Sequence, residues 1–92
     1  MTKKELVKEV SRRTGYEQVT ILKIIENTLD SIKEAVKNDE VVYLRGFGAF
    51  SNRSHKKRIA QNIINKTSVI VPEHKSPHFK AYDEFKELLN NH

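Results

Sequence analysis

With 92 residues, 37% of them apolar, and neither tryptophan nor cysteine, the chain has room for one domain with a thin core and excludes disulfide staples and thiolate chemistry. No stretch approaches the roughly 20 continuous apolar residues that cross a bilayer, and no apolar leader opens the chain, so a soluble intracellular protein stabilised by subunit pairing is expected. The net charge of +5 is uneven: residues 1–52 carry nine Lys/Arg against eight Asp/Glu, residues 53–80 seven against one, and residues 81–92 one against three. The basic middle segment is the candidate polyanion-binding surface, although a merely solvated surface would look similar in charge alone.

Thr2 followed by Glu5 forms a capping-box pattern that opens a helix to about Thr14, with Leu6 and Val10 on one face and Gly15 at the C-terminal cap position. From Gln18 to Lys37, Leu22, Ile25, Leu29, Ile32 and Val36 recur at three- and four-residue spacing, flanked by Val19, Ile21 and Ile24. That stripe is broader than the first helix can cover, which argues for a partner subunit. Asn38 and Asp39 end the helix.

Glu40 to Arg45 reads as a short strand, and Gly46-Phe47-Gly48-Ala49-Phe50 as an aromatic-bearing turn into a second one. Ser51 to about Ala60 and Thr67 to Val71 read as the two limbs of a long protruding hairpin, too polar to bury and too β-branched to be simply disordered. Pro72 and Pro77 suit an edge strand or bulge. A last helix is expected over Asp83–Leu89, with Phe85, Leu88 and Leu89 on its buried side.

Taken in order, the two helices, the run Val42-Tyr43-Leu44-Arg45-Gly46-Phe47-Gly48-Ala49-Phe50, the basic arm containing Asn62, the run Pro77-His78-Phe79 and the short last helix carry a resemblance. The sequence resembles the bacterial HU/integration host factor family of histone-like DNA-binding proteins over essentially its whole length. The resemblance implies an α+β fold: an intertwined dimer with a helical base, a β-saddle and protruding β-ribbon arms. Within a single domain spanning 1–92, it implies a helical dimerisation region at 1–38, a saddle and DNA-binding arm at 40–80, and a C-terminal helix at 83–90.

The resemblance further implies arms that enter the minor groove of double-stranded DNA, with an apolar tip residue wedged between base pairs. Cations flanking such a wedge hold the backbones while the duplex bends toward the major groove. Ile63 falls where the family usually has an intercalating proline; it is bulky and apolar but lacks the fixed φ. Ala60-Gln61-Asn62-Ile63 replaces the usual glycine-arginine-asparagine-proline run, so Asn62 is retained and Gln61 keeps reach without charge. Arg53, Lys56, Lys57 and Arg58, joined by Lys66, Lys75 and Lys80, are the expected phosphate contacts, with ordinary solvated surface as the alternative. Lys3 and Lys4 match a helix 1 position that similar proteins use against flanking DNA, and Arg45 fits either DNA or an ion pair. Asp83 stands where the family commonly has lysine, which would weaken wrapping of distant DNA.

His55, His74 and His78 lack metal-ligand spacing or a positioned nucleophile; they are expected to be polar surface or DNA-adjacent groups that add only conditional charge to the arm or saddle near neutral pH. No catalytic group, metal or cofactor is expected. The function implied is largely sequence-nonspecific binding and bending of DNA for nucleoid compaction and nucleoprotein assembly, by a cytoplasmic, nucleoid-associated homodimer or a heterodimer with a paralogue. Three alternatives stay open: a site-preferring bender of the integration host factor type, a dimeric scaffold with weakened DNA binding, and an RNA-binding adaptor.

Overall fold

The computed structural model describes residues 1–62 and 67–90, and divides into two compact units, residues 1–34 and 35–92. The element order is α1 (Lys3–Thr14), α2 (Gln18–Lys37), β1 (Val42–Leu44), β2 (Gly48–His55), β3 (Arg58–Asn62), β4 (Thr67–Val71), β5 (His74–Ala81) and α3 (Asp83–Asn90). No described helix is long and apolar enough to cross a membrane.

In the first unit, the Thr2 hydroxyl accepts from the Glu5 N–H at 3.2 Å, which satisfies one of the unpaired donors at the start of α1. Gly15 closes the helix by donating its N–H to the Ser11 carbonyl at 2.8 Å. Lys3 Nζ meets Glu26 at 3.2 Å and ties α1 to α2. Val7 and Ile21 are the buried side chains here, while Leu6, Leu22 and Leu29 stay exposed. The apolar stripe on α2 is wider than one short helix can shield, so part of it has no cover within a single copy.

The second unit holds an antiparallel sheet in the order β1-β2-β5, and β3 and β4 pair as a separate two-stranded ribbon. Turn residues 45–47 join β1 to β2, with Phe47 N–H donating to the Leu44 carbonyl at 2.9 Å. Gly46 sits at φ +80°, the left-handed value that the third position of a type II turn requires. Gly48 is needed for a different reason: a Cβ there would lie 2.5 Å from the Lys80 carbonyl and 2.6 Å from the Phe79 ring. All four phenylalanines of the chain meet around this point. Ring centroids are 4.6 Å apart for Phe50–Phe79, 5.2 Å for Phe47–Phe79 and 5.0 Å for the stacked Phe47–Phe85 pair.

The first strand is shorter than the expected Glu40–Arg45 and the turn tighter, since Gly48 to Phe50 already pair within the sheet. The expected continuous limb from Ser51 to Ala60 is broken as well. His55 pairs with His74 and Arg58 with Val71, leaving Lys56 and Lys57 opposite Pro72 and Glu73 outside either ladder. Pro72 has no N–H to donate, so the ladder stops there and restarts as a second sheet. Pro77 is accommodated because β5 is an edge strand.

Candidate nucleic-acid interface

Register decides which side chains share a face. Residues paired across antiparallel strands project to the same side, and neighbours along a strand alternate. The Phe50–Phe79 pair fixes one face as the aromatic side; Asn52, Ser54, Pro77 and Lys75 share it by parity. The outer face then carries Tyr43, Ala49, Ser51, Arg53 and His55, with Lys80, His78, Ser76 and His74 opposite them. Arg53, Lys80 and Tyr43 are exposed, Tyr43 at 72%.

This arrangement separates two residues that sequence reasoning grouped. Lys80 is on the outer face, whereas Lys75 is on the aromatic side, where its ammonium meets Asp39 at 2.8 Å. Asn52 donates to the same carboxylate oxygen at 2.7 Å and to the Val36 carbonyl at 2.8 Å. Asp39 is held for this at φ +61°, where its N–H reaches the Val36 carbonyl and the Glu40 N–H reaches the Ala35 carbonyl, a Schellman ending to α2.

The hydrogen bond from Lys75, then that from Asn52, holds the Asp39 carboxyl below its ordinary value of 3.8. Because the folded pKa is depressed, its stabilisation is present above the unfolded pKa and lost as pH falls through the folded one. Asp39→Ala should therefore melt below the parent at neutral pH, and Asp39→Asn by less, since asparagine tolerates the left-handed backbone and still accepts a hydrogen bond. The gap between parent and Asp39→Ala should narrow in melts recorded below the ordinary carboxylate range.

The sequence profile described as "Bacterial DNA-binding protein" matches residues 1–90. The chain belongs to the bacterial DNA-binding protein family. DNA-binding protein HU of Thermotoga maritima is 34% identical over 89 residues, covering 97% of this chain and 99% of the relative. Integration host factor subunit beta of Cupriavidus metallidurans is 33% identical, covering 98% of this chain and 67% of the relative. Among solved structures, an Anabaena HU–DNA cocrystal structure superposes with a TM-score of 0.91 at 29% identity over the whole of both chains. The family is one of non-catalytic architectural proteins that bind and bend DNA, and the observed helices and antiparallel sheet are its α+β fold.

The remaining candidates fall in several places on this family fold. Arg45 is exposed in the β1–β2 turn, and Lys56 and Lys57 are exposed at the break between the sheets. Arg58, Gln61 and Asn62 belong to β3, paired with Val71, Ser68 and Thr67. Ile63 and Lys66 lie outside the described residues. Ile59 and Ile70 form a cross-strand pair on the ribbon, 70% and 61% exposed, an apolar surface that the sequence reading did not single out. Lys3 is engaged by Glu26, and with Lys4 it borders an apolar groove of about 430 Å³ in the helical unit. Asp83 and Glu84 occupy the first turn of α3, where the helix dipole favours negative charge. That is a structural reason for a carboxylate at this position. His78, expected to add conditional charge to the arm or saddle, lies on the outer face 3.3 Å from Arg53.

Proposed function

We propose that this chain works as a dimer that binds duplex DNA across the outer face of its three-stranded sheets, reaches into the minor groove with the β3–β4 ribbons, and bends the duplex with little base preference. The observation that carries the reading is the segregation of charge on the sheet: Arg53 and Lys80 are exposed on one face, and the carboxylate of Asp39 is engaged on the other. Exposed cations with no carboxylate partner among the described residues suit phosphate contact, which positions a duplex but does not read sequence.

Dimerisation is favoured by the apolar surface that one copy leaves open. Val19 is 78% exposed, Ile24 56% and Leu29 45% on α2, and Phe47 is 43% exposed within the aromatic cluster. A second copy of this chain is the occupant proposed, and light scattering should give twice the chain mass. A complex with a paralogue is the alternative, favoured by relatives named as a subunit. Binding inside the cell would localise the protein to the nucleoid.

An NMR titration with a short duplex tests the face. The largest shifts are expected at Tyr43, Ser51, Arg53 and Lys80, with small ones at Asp39 and Lys75. The opposite pattern would reject this docking mode. Comparing duplexes of differing flexibility in the same titration separates generic from site-preferring binding, because deformation energy depends on sequence.

A further inference from the structure

Besides its two permanent cations, the outer sheet face carries three imidazoles that phosphate docking leaves unused. His55 and His74 are a cross-strand pair with ring centroids 4.7 Å apart and planes 18° from parallel. His78 Nε2 lies 3.3 Å from Arg53 Nη2. A guanidinium can only donate, so in this geometry His78 accepts through an unprotonated Nε2. The Pro72 carbonyl, 2.9 Å from His74 Nδ1, can only accept, which places a proton on that nitrogen and leaves Nε2 open. His55 Nε2 is 2.8 Å from the Ser76 hydroxyl.

The charges around these rings are nearly all positive. On their own strands they meet Arg53 and Lys80, β1 contributes the Tyr43 phenol, and the flanking break offers Lys56 beside His55 and Glu73 beside His74. Lys75 is on the opposite face and bound to Asp39. Among the described residues, no strand position on the outer face is a carboxylate. The described strand positions of that face thus give protonated rings no anion, whereas a phosphate backbone laid across it would supply several.

We propose that His55, His74 and His78 take up protons as DNA docks, so that the sheet grips the duplex more tightly as pH falls through the imidazole range. The inference rests on the outer-face docking proposed above. Protonation of all three rings raises the face from two positive charges, Arg53 and Lys80, to five. By linkage, each proton taken up steepens the dependence of affinity on pH by about tenfold per unit, and each added phosphate contact steepens the salt dependence by about 0.9. Asp39 stays ionised throughout this window because its pKa is held low, so the aromatic side keeps its Lys75 contact.

The test measures duplex affinity at fixed salt from about pH 8 to about pH 5.5 for the parent and for a His55→Gln/His74→Gln/His78→Gln variant. Calorimetry in two buffers of different ionisation enthalpy counts the protons taken up. The parent should tighten by about tenfold or more per pH unit and absorb at least one proton, while the variant, whatever its affinity near pH 8, should change by less than about twofold across the range. Equal pH dependence in both proteins, or a flat parent, overturns the proposal. Loss of binding by both proteins near pH 8 removes the docking reading itself, a separate outcome. Should the triple variant fold poorly by circular dichroism, His78→Gln keeps an acceptor for Arg53; it must lose part of the parent's slope, and an undiminished slope overturns the proposal.

Discussion

Replacing Arg53 and Lys80 together by glutamine should weaken duplex binding by on the order of 10²- to 10³-fold at moderate salt, with little dependence on DNA sequence. In the proposed dimer the change removes four phosphate contacts, two per copy, and should flatten the plot of log affinity against log salt by about 3.6, or about 0.9 per contact. Both side chains are exposed on the outer face. The protein should therefore remain folded, and its melting temperature near that of the parent. Lys75→Gln is the matched control: it removes the same charge from the same strand, but on the aromatic side where Lys75 is bound to Asp39. A slope change for Lys75→Gln as large as that for either Arg53→Gln or Lys80→Gln alone would show that the two faces have been assigned wrongly.

Gly48→Ala should be the most damaging small substitution in the sheet. The added methyl would meet the Lys80 carbonyl at 2.5 Å and two atoms of the Phe79 ring at 2.6 Å. Neither can withdraw easily: Lys80 is paired in the β2–β5 ladder, and the Phe79 ring is packed against Phe47 and Phe50. Forced overpacking of this kind costs about 3 kcal/mol, which lowers the melting temperature of a domain this size by roughly 10–20 °C. Gly46→Ala is the instructive comparison. It places a side chain at φ +80°, but the nearest atom is the mobile Glu84 carboxylate at 3.1 Å. Backbone strain alone predicts about 1–2 kcal/mol. Thermal unfolding of the two variants ranks them, and a milder effect for Gly48→Ala than for Gly46→Ala would contradict the close approach at Gly48.

The elements most legible in the sequence were those written in local chemistry. The Thr2–Glu5 pattern, Gly15 and the Asn38-Asp39 ending place α1 and α2 within a residue of where they stand, because caps satisfy backbone groups near in sequence. The break at Lys56-Lys57 was less visible, since it depends on Pro72 arriving opposite from a distant part of the chain. The excess width of the α2 stripe is legible from periodicity, but which of its residues one copy covers is not: Ile21 is buried, whereas Leu22 and Leu29 stay exposed.

The candidate interface was legible in composition and only partly in geometry. Counting charge found the basic segment, but Lys75 and Lys80 differ by an odd number of residues on one strand and must project oppositely. Once Phe79 is assigned inward, Lys80 follows outward and Lys75 inward. The pairing of Lys75 and Asn52 with Asp39 spans 36 and 13 residues and has no local signature. The histidines are legible as conditional charge on the arm or saddle, but that His55, His74 and His78 share one face with Arg53 and Ser76 follows only from the register of two strands distant in sequence.

Energy transfer across a short duplex labelled at both ends, titrated with protein at several salt concentrations while binding is followed in parallel, is the most direct test of bending by phosphate-anchored arms. The expected result is saturable binding that weakens steeply with salt and shortens the end-to-end distance at saturation. Saturable binding with no shortening would contradict bending, and no binding at low salt would contradict the DNA function itself.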